Sequence, residues 1–257
     1  MKETLLILLA IFFCSCGRNN QSEKENSDSV LEIDLLSEPE STVTKLSEIA
    51  ENVEYIPLET TDSTLIGGVV EKIITTDNSI YIENINMILC FNIDGKFLFK
   101  LDKQGRGPEE YLSISDFDIS NDNTMLTILS VLDSRLKIYG ISETGFAFQR
   151  SVSLSETRPY RIAVVPETDN LFLAIPPWYG GTEPTLSILI NTNGDTLHLK
   201  PNSYKINGTR TTHFQSTSEA LVYSFGNMVC FKELFSDTVF YVDTKENLFK
   251  PRLILNT

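Results

Sequence analysis

The sequence predicts an all-β fold, a β-propeller in which about four four-stranded blades of a probable six are visible. The first observation is a unit that returns about every 50 residues, the length of one blade. Its turn markers Gly95, Gly145, Gly194 and Asn247 lie 50, 49 and 53 residues apart. The second observation is the period inside each unit, which is two and not 3.6 because short β-rich runs alternate with polar turns.

Four blades can be placed along the repeat array. The first three are predicted near residues 69–101, 114–154 and 159–200, each with four short apolar runs separated by turn residues. The fourth is predicted near residues 212–255, where the inner strand is unclear. Helices have little place in this pattern, and the exception is residues 43–51, where a short apolar face is spaced as in a helix.

The first sixteen residues predict a lipoprotein signal peptide. Lys2 precedes an apolar stretch at residues 5–13, which is too short to span a bilayer as a helix. Ser15 then supplies the small residue before Cys16, so the segment resembles a bacterial lipobox with lipidation at Cys16. An ordinary secretory signal cut near the same place is the alternative. The expected location is therefore the cell envelope, with a lipid anchor in a membrane, which could be the outer membrane.

Residues 17–29 are polar and carry no apolar period, so we expect a flexible tether between the anchor and a propeller domain at residues 30–257. The formal charge of −14 would repel a phosphate backbone, and no Lys/Arg cluster is present, so no nucleic-acid partner is expected. The remaining cysteines, Cys90 and Cys230, occupy different strand positions of different repeats. We therefore expect two buried thiols and no bridge between them.

Three stretches carry a resemblance to a known family: residues 50–60 (AENVEYIPLET), residues 80–119 with their GRGPEEY run, and residues 235–243 (FSDTVFYVD). They resemble the exported six-bladed β-propeller proteins of gut-type bacteria, often lipoproteins and related in architecture to NHL-repeat propellers. Six blades of about 50 residues need roughly 300 residues. Relative to that family the chain is expected to be truncated, or else to close as four blades or by pairing with another copy.

Antiparallel order within a blade sends the connections between strands 2 and 3, and from strand 4 to the next blade, to one end of the propeller. Loops gathered at one mouth of a rigid scaffold are where such folds usually bind ligands. The richer loops fall at this mouth, and the partner expected there is a carbohydrate or a peptide. The candidate ligand-binding residues are Arg106, Tyr111, Arg158, Tyr160, Trp178 and Tyr179.

Two of these candidates have a structural alternative. Arg106 and Glu109 could lock the crossing between two blades through a charged hydrogen bond. Trp178 could cap the core of its blade instead of facing a ligand.

Catalytic motifs are absent from the sequence: it contains neither an HExxH zinc motif nor a GxSxG nucleophile elbow. We therefore expect a non-catalytic binding scaffold without a cofactor. The alternative is an enzyme of the NHL or lactonase-like type with a metal in the channel, for which Asp116 and Asp118 supply suitable side chains.

Overall fold

A computed structural model describes residues 30–37, 45–154, 158–168, 171–179, 181–205, 215–216 and 220–256. The expected signal peptide, the lipidation site Cys16 and the tether at residues 17–29 lie outside the described residues. The described chain begins with strand β1 (Leu31–Asp34) and the short helix α1 (Leu46–Ile49). The helix falls inside the segment in which the sequence predicted one.

The first two blades are four-stranded antiparallel sheets in which each strand pairs with the one before it in sequence. Blade 1 contains β2 (Val70–Thr75), β3 (Ser79–Asn84), β4 (Met87–Asn92) and β5 (Phe97–Leu101). Blade 2 contains β6 (Asp116–Ile119), β7 (Met125–Ser130), β8 (Arg135–Ser142) and β9 (Gly145–Ser153), with a 3-10 turn at Val131–Asp133.

The next two blades repeat this order with additions at their edges. Blade 3 contains β10 (Arg161–Val164), β11 (Leu171–Ile175), β13 (Thr185–Asn191) and β14 (Thr196–Pro201), while β12 (Trp178–Tyr179) pairs separately with β15 (Gln215–Ser216). Blade 4 contains β16 (Leu221–Phe225), β17 (Met228–Lys232), β18 (Thr238–Asp243) and β19 (Leu248–Asn256). Strand β1 adds to its outer edge, parallel to β19. The prediction of an all-β propeller with four visible four-stranded blades is confirmed.

Consecutive blades pack face to face through apolar side chains. Tyr81 of blade 1 and Phe117 of blade 2 belong to one buried cluster, and Leu129 of blade 2 and Phe172 of blade 3 belong to the next. Strand β3 is buried at all six positions, because its sheet is covered on both faces. This burial explains why the strand reads as a nearly continuous apolar run.

Two carboxylates on the inner strand of blade 2 add polar links between blades. Asp116 and Asp118 on the inner strand β6 accept hydrogen bonds from the backbone N–H groups of Ile162 (2.8 Å) and Val164 (2.7 Å) on the inner strand of blade 3. Burial is the main reason that the pKa of Asp118 is raised to about 6. These two side chains, which the sequence offered as metal ligands, are thus engaged in joining blade 2 to blade 3.

The recurring glycines lie in tight turns that touch the preceding unit. Gly95 has φ +81°, and a Cβ atom there would lie 2.1 Å from the carbonyl oxygen of Pro57. Gly194 has φ +88°, and its Cβ would lie 2.5 Å from the carbonyl oxygen of Ser153 at the end of blade 2. At Gly95 and Gly194 the repeat marker therefore reflects both a left-handed backbone and a close approach that leaves no room for a side chain.

We expect the substitution Gly95→Ala to lower the free energy of unfolding by at least about 2 kcal/mol, because it adds a backbone clash to the strain of a positive φ. Gly226→Ala is the matched control, since Gly226 also has positive φ (+55°) but has nothing within 4 Å of the added Cβ. It should cost only about 1 kcal/mol. Urea denaturation of both variants measures the difference, and equal losses would show that the contact with Pro57 is unimportant.

The two ends of the array differ in how their outward faces are covered. Residues 51–68, here called the strap, place Leu58 and Ile66 against Phe91 on the outward face of blade 1. The outward face of blade 4 instead leaves Leu221 59% and Phe225 55% exposed. Among the described residues, none of the buried apolar clusters joins blade 4 to blade 1.

Candidate functional site

The connections between strands 2 and 3, and those leading into the next blade, meet at one end of the channel, as their antiparallel order requires. A cavity of about 400 Å³ opens there, here called the mouth cavity. Its polar lining comes from blades 1, 2 and 3 and consists of Glu71, Glu83, Asn86, Ser115, Tyr160 and Arg161.

A second cavity of about 350 Å³, the channel cavity, lies deeper between the inner strands of all four blades. It shares Glu71 and Arg161 with the mouth cavity. Its remaining charged lining is Lys72, Asp116 and Asp118. The two cavities therefore meet at Glu71 and Arg161, which lie between the mouth and the channel.

One rim of the mouth cavity is the two-residue turn between β3 and β4. Ile85 and Asn86 both adopt left-handed backbone conformations, with φ +49° and +57°, as in the hairpin turns that match strand twist. Such a conformation is strained for a β-branched residue like Ile85. The Asn86 side chain holds the turn in place by accepting a hydrogen bond from the Ile114 N–H (3.0 Å), at the start of blade 2.

Tyr111 is fully buried beneath this turn. Its hydroxyl donates to the carbonyl of Asn86 (2.9 Å) and accepts from the N–H of Lys103 (3.2 Å). Burial raises its pKa to about 12. The side chain thus joins the loop after blade 1 to the rim of the mouth and offers no surface to a ligand.

Glu83, near the end of β3, is the most unusual side chain of the mouth cavity. It is only 4% exposed, yet it accepts no hydrogen bond and forms no ion pair with any residue that the structure describes. Burial raises its pKa to about 7, the charges of Glu71 and Asp116 add to this effect, and Lys72 and Arg161 oppose it. A carboxyl group with this pKa exchanges its proton near neutral pH.

The two cations near Glu83 are already engaged with other groups. Lys72 Nζ lies 2.8 Å from Asp116 Oδ1 and donates to the carbonyl of Phe117 (2.6 Å). Arg161 Nη1 lies 3.9 Å from the same Asp116 oxygen, and its guanidinium lies 5.3 Å from the centre of the Tyr160 ring. Asp116 is therefore the shared partner of both cations, and Glu83 is left without one.

Of the six residues proposed from the sequence, the structure places Tyr160 in the lining of the mouth cavity. Arg106 and Arg158 are exposed and line neither this cavity nor the channel cavity. Trp178 and Tyr179 form β12, and only their backbone is described. The structure thus does not bring the six together around one cavity.

The loop that contains Arg106 is not held by the charged hydrogen bond between Arg106 and Glu109 that the sequence suggested as an alternative. The Glu110 carboxylate accepts the N–H of Gly107 (2.7 Å) and so closes the loop on itself. Contact with blade 2 comes from the Tyr139 hydroxyl, which donates to the Glu109 carbonyl (2.7 Å), and from Lys137 Nζ, which donates to the Pro108 carbonyl (3.1 Å). In the part of the chain that is described, Arg106 makes no hydrogen bond or ion pair.

Sequence reasoning overlooked Glu83, Asn86 and Arg161. Glu83 did carry a signal, because it is a charged residue inside the apolar run SIYIEN of a strand buried on both faces. Cys90 and Cys230 are free and buried, as predicted.

The described ranges contain neither a metal-binding cluster nor a membrane-spanning helix. Within them, no three His, Cys, Asp or Glu side chains are grouped so that they could hold a metal ion. Within them also, no helix has the length and apolar character needed to cross a membrane.

Four antiparallel blades around a channel, with a polar cavity at the end where the longer loops meet, define the protein as a β-propeller. The particular family is shown by sequence: the chain belongs to the domain of unknown function DUF4934, which it matches over residues 30–257. No curated protein matches the sequence.

The chain is similar to several solved structures at low sequence identity. A "Putative exported protein" from Bacteroides fragilis NCTC 9343 is 19% identical with a TM-score of 0.64, over 88% of this chain and 60% of that one. A DUF4221 family member from Bacteroides vulgatus ATCC 8482 is 11% identical with a TM-score of 0.48, over 71% and 57%. The β-propeller domain of Cps50 (Swd1) from Myceliophteria thermophila is 9% identical with a TM-score of 0.45, over 74% and 56%. The chain thus spans about 60% of the length of the first of these proteins.

Proposed function

We propose that this protein is an exported, lipid-anchored β-propeller that binds a small polar ligand, a carbohydrate or a peptide, in the mouth cavity. The observation that carries the proposal is Glu83, a carboxyl group that is 4% exposed, faces a cavity and has no hydrogen-bond partner among the described residues. A carboxyl group that opens onto a cavity and has no hydrogen-bond donor from the protein favours a ligand that supplies one.

The size and lining of the cavity support the same proposal. About 400 Å³ lies within the range of small-molecule sites. Its wall combines apolar contacts from Ile85 and Ile114 with polar groups from Glu83, Tyr160 and Arg161. Such a mixed wall suits a ligand that has both a ring or aliphatic surface and hydrogen-bonding groups.

The anchor and the number of blades are part of the proposal. Ser15 and Cys16 after the apolar leader favour lipidation at Cys16, and the structural neighbour from Bacteroides fragilis bears a name that describes export. Exposed Leu221 and Phe225 on the outward face of blade 4 favour an NHL-like ring of six blades in the functional form, because the other blade faces are covered by a neighbouring blade or, on blade 1, by the strap. The intact mass of protein isolated from native membranes tests both ideas, since an unacylated N terminus or a four-bladed mass would contradict them.

Ligand-observed NMR tests the site, with the full-length chain and a panel of mono- and disaccharides and dipeptides. Tyr160→Ala should weaken binding of any ligand found about tenfold, because it removes an aromatic surface from the cavity wall. Tyr55→Ala is the matched control, since Tyr55 is 89% exposed on the strap, outside both cavities. Binding that responds equally to both substitutions, or to neither, would contradict a site at the mouth.

A further inference from the structure

We propose that the mouth cavity recognises a primary ammonium group, which the Glu83 carboxylate receives. This inference rests on the proposed function and adds the chemical class of the ligand. Glu83 lies in strand β3 and is not one of the six residues that were predicted from the sequence.

Glu233 is a buried carboxylate with a structural role, and it can be compared with Glu83. Glu233 is 2% exposed, and it accepts hydrogen bonds from the Ser187 hydroxyl and the Lys200 ammonium group across the junction of blades 3 and 4. Glu83 is buried to a similar degree but has no such donors among the described residues. A lysine ammonium group satisfies the first carboxylate, and an ammonium group brought by a ligand would satisfy the second in the same way.

The charges around Glu83 favour a cation over an anion. The groups that face it are Glu71 and Lys72 from β2, Asp116 from β6 and Arg161 from β10, and its charge also reaches Tyr111 in the loop after blade 1. Lys72 is bound by Asp116, and Arg161 lies beside the same aspartate. When Glu83 is ionised, the three carboxylates Glu71, Glu83 and Asp116 outnumber the two cations, so the net charge of the group is negative and disfavours an anionic ligand.

An ammonium group fits these carboxylate acceptors better than a metal ion does. Calcium takes six to eight oxygen ligands and magnesium six, whereas no group of three or more suitable side chains occurs in the described ranges. A primary ammonium group donates three hydrogen bonds and needs only one close carboxylate with further acceptors nearby. Because Glu83 is already buried in the free protein, its carboxylate is desolvated mainly during folding, and little further desolvation free energy opposes ligand binding.

Binding should depend on pH in a definite direction. With a pKa of about 7 in the free protein, Glu83 is ionised in about one molecule in ten at pH 6 and about nine in ten at pH 8. Only the ionised form attracts an ammonium group, so the apparent affinity should be about tenfold weaker at pH 6 than at pH 8. At neutral pH, binding should release part of a proton from Glu83 to the solvent.

Isothermal titration calorimetry of the full-length chain tests this with two amines and their uncharged partners. The peptide probe is Nα-acetyl-lysine amide, compared with its Nε-acetylated form, and the sugar probe is 6-amino-6-deoxyglucose, compared with glucose. Aliphatic ammonium groups of this type keep their charge between pH 6 and 8, like lysine with its pKa of about 10.4. We expect at least one amine to bind about tenfold or more tightly than its uncharged partner, with the pH dependence given above.

Glu83→Gln should reduce the affinity for the amine at least tenfold at pH 8 and remove the pH dependence. The variant should fold, because the raised pKa of Glu83 means that the folded state favours a neutral group there, so it should melt no lower than the wild type at pH 8. Glu143→Gln is the control, since Glu143 is exposed in the β8–β9 hairpin at the opposite end of the channel. It should leave the affinity unchanged.

The outcomes separate this inference from the proposed function. If neutral sugars bind and Tyr160→Ala weakens them, while amines gain nothing or Glu83→Gln has no effect, the ammonium site is wrong and the binding function stands. If nothing in either panel binds at the mouth, both are wrong. Tight binding of one amine but not the other identifies a peptide or a sugar as the source of the ammonium group.

Discussion

Phe231→Ala should lower the free energy of unfolding by about 4 kcal/mol, the largest loss that we expect from a single substitution. Phe231 is fully buried between blades 3 and 4. Its ring stacks on Phe240 with the centres 5.7 Å apart and meets Phe249 edge-on at 4.9 Å. Truncation removes both aromatic contacts and leaves a cavity where blade 4 docks.

The same substitution on the other face of blade 4 provides the control for Phe231→Ala. Phe225 is 55% exposed, and its main partner is the Arg252 guanidinium, 3.9 Å from the ring centre. Phe225→Ala should therefore cost only about 1 kcal/mol. Urea denaturation followed by circular dichroism measures both values. A similar loss for the two variants would mean that blade 4 is not docked through Phe231 as the structure has it.

Asp116→Ala should lower the free energy of unfolding by about 3 kcal/mol, because it removes a buried carboxylate and leaves its partners unpaired. The carboxylate pairs with Lys72 (2.8 Å) and accepts the N–H of Ile162 (2.8 Å), so it connects blades 1, 2 and 3. Lys72 keeps partial contact with solvent, which places the expected loss at the lower end for a broken buried pair.

Two further variants serve as comparisons for the loss of stability in Asp116→Ala. Asp116→Asn keeps the size and an acceptor for Ile162 but loses the charge that Lys72 needs, so its cost should lie between that of alanine and zero. Asp94→Ala changes an exposed turn residue whose carboxylate accepts only a long 3.4 Å hydrogen bond from Asn92, and it should cost less than about 0.5 kcal/mol. Melting temperatures and urea midpoints give the order, and an Asp116→Ala variant as stable as Asp94→Ala would contradict the central role of Asp116.

The repeat period predicted most strands of the fold because each blade builds its own sheet from neighbouring residues. The runs before Gly95, Gly145 and Gly194 all form strands at nearly the predicted places. Strand β1 was missed for a physical reason: its partner β19 lies at the other end of the sequence, and a short exposed segment such as Leu31–Asp34 carries no local pattern of burial. The inner strand β16 was unclear because one of its faces is exposed and its burial is uneven.

The candidate site was harder to predict than the fold. Sequence reasoning favoured aromatic and arginine residues in loops, and it placed Tyr160 at the mouth. It gave no role to Glu83 and Arg161, because both lie within strands, where alternation is read as packing. Glu83 and Arg161 come together because their strands, β3 and β10, reach the same height along the channel. The alignment of one blade against the next sets this height, and the pattern of a single sequence does not reveal it.

The direction of β1 determines at which end of the propeller the chain enters the domain. The strand runs parallel to β19, and β19 starts at the short hairpins and ends at the level of the mouth. Leu31, the first residue of β1, therefore lies toward the hairpin end of the domain, opposite the mouth cavity. Under the proposed attachment at Cys16, the anchored segment would enter the domain at the end away from the opening and would leave the mouth uncovered.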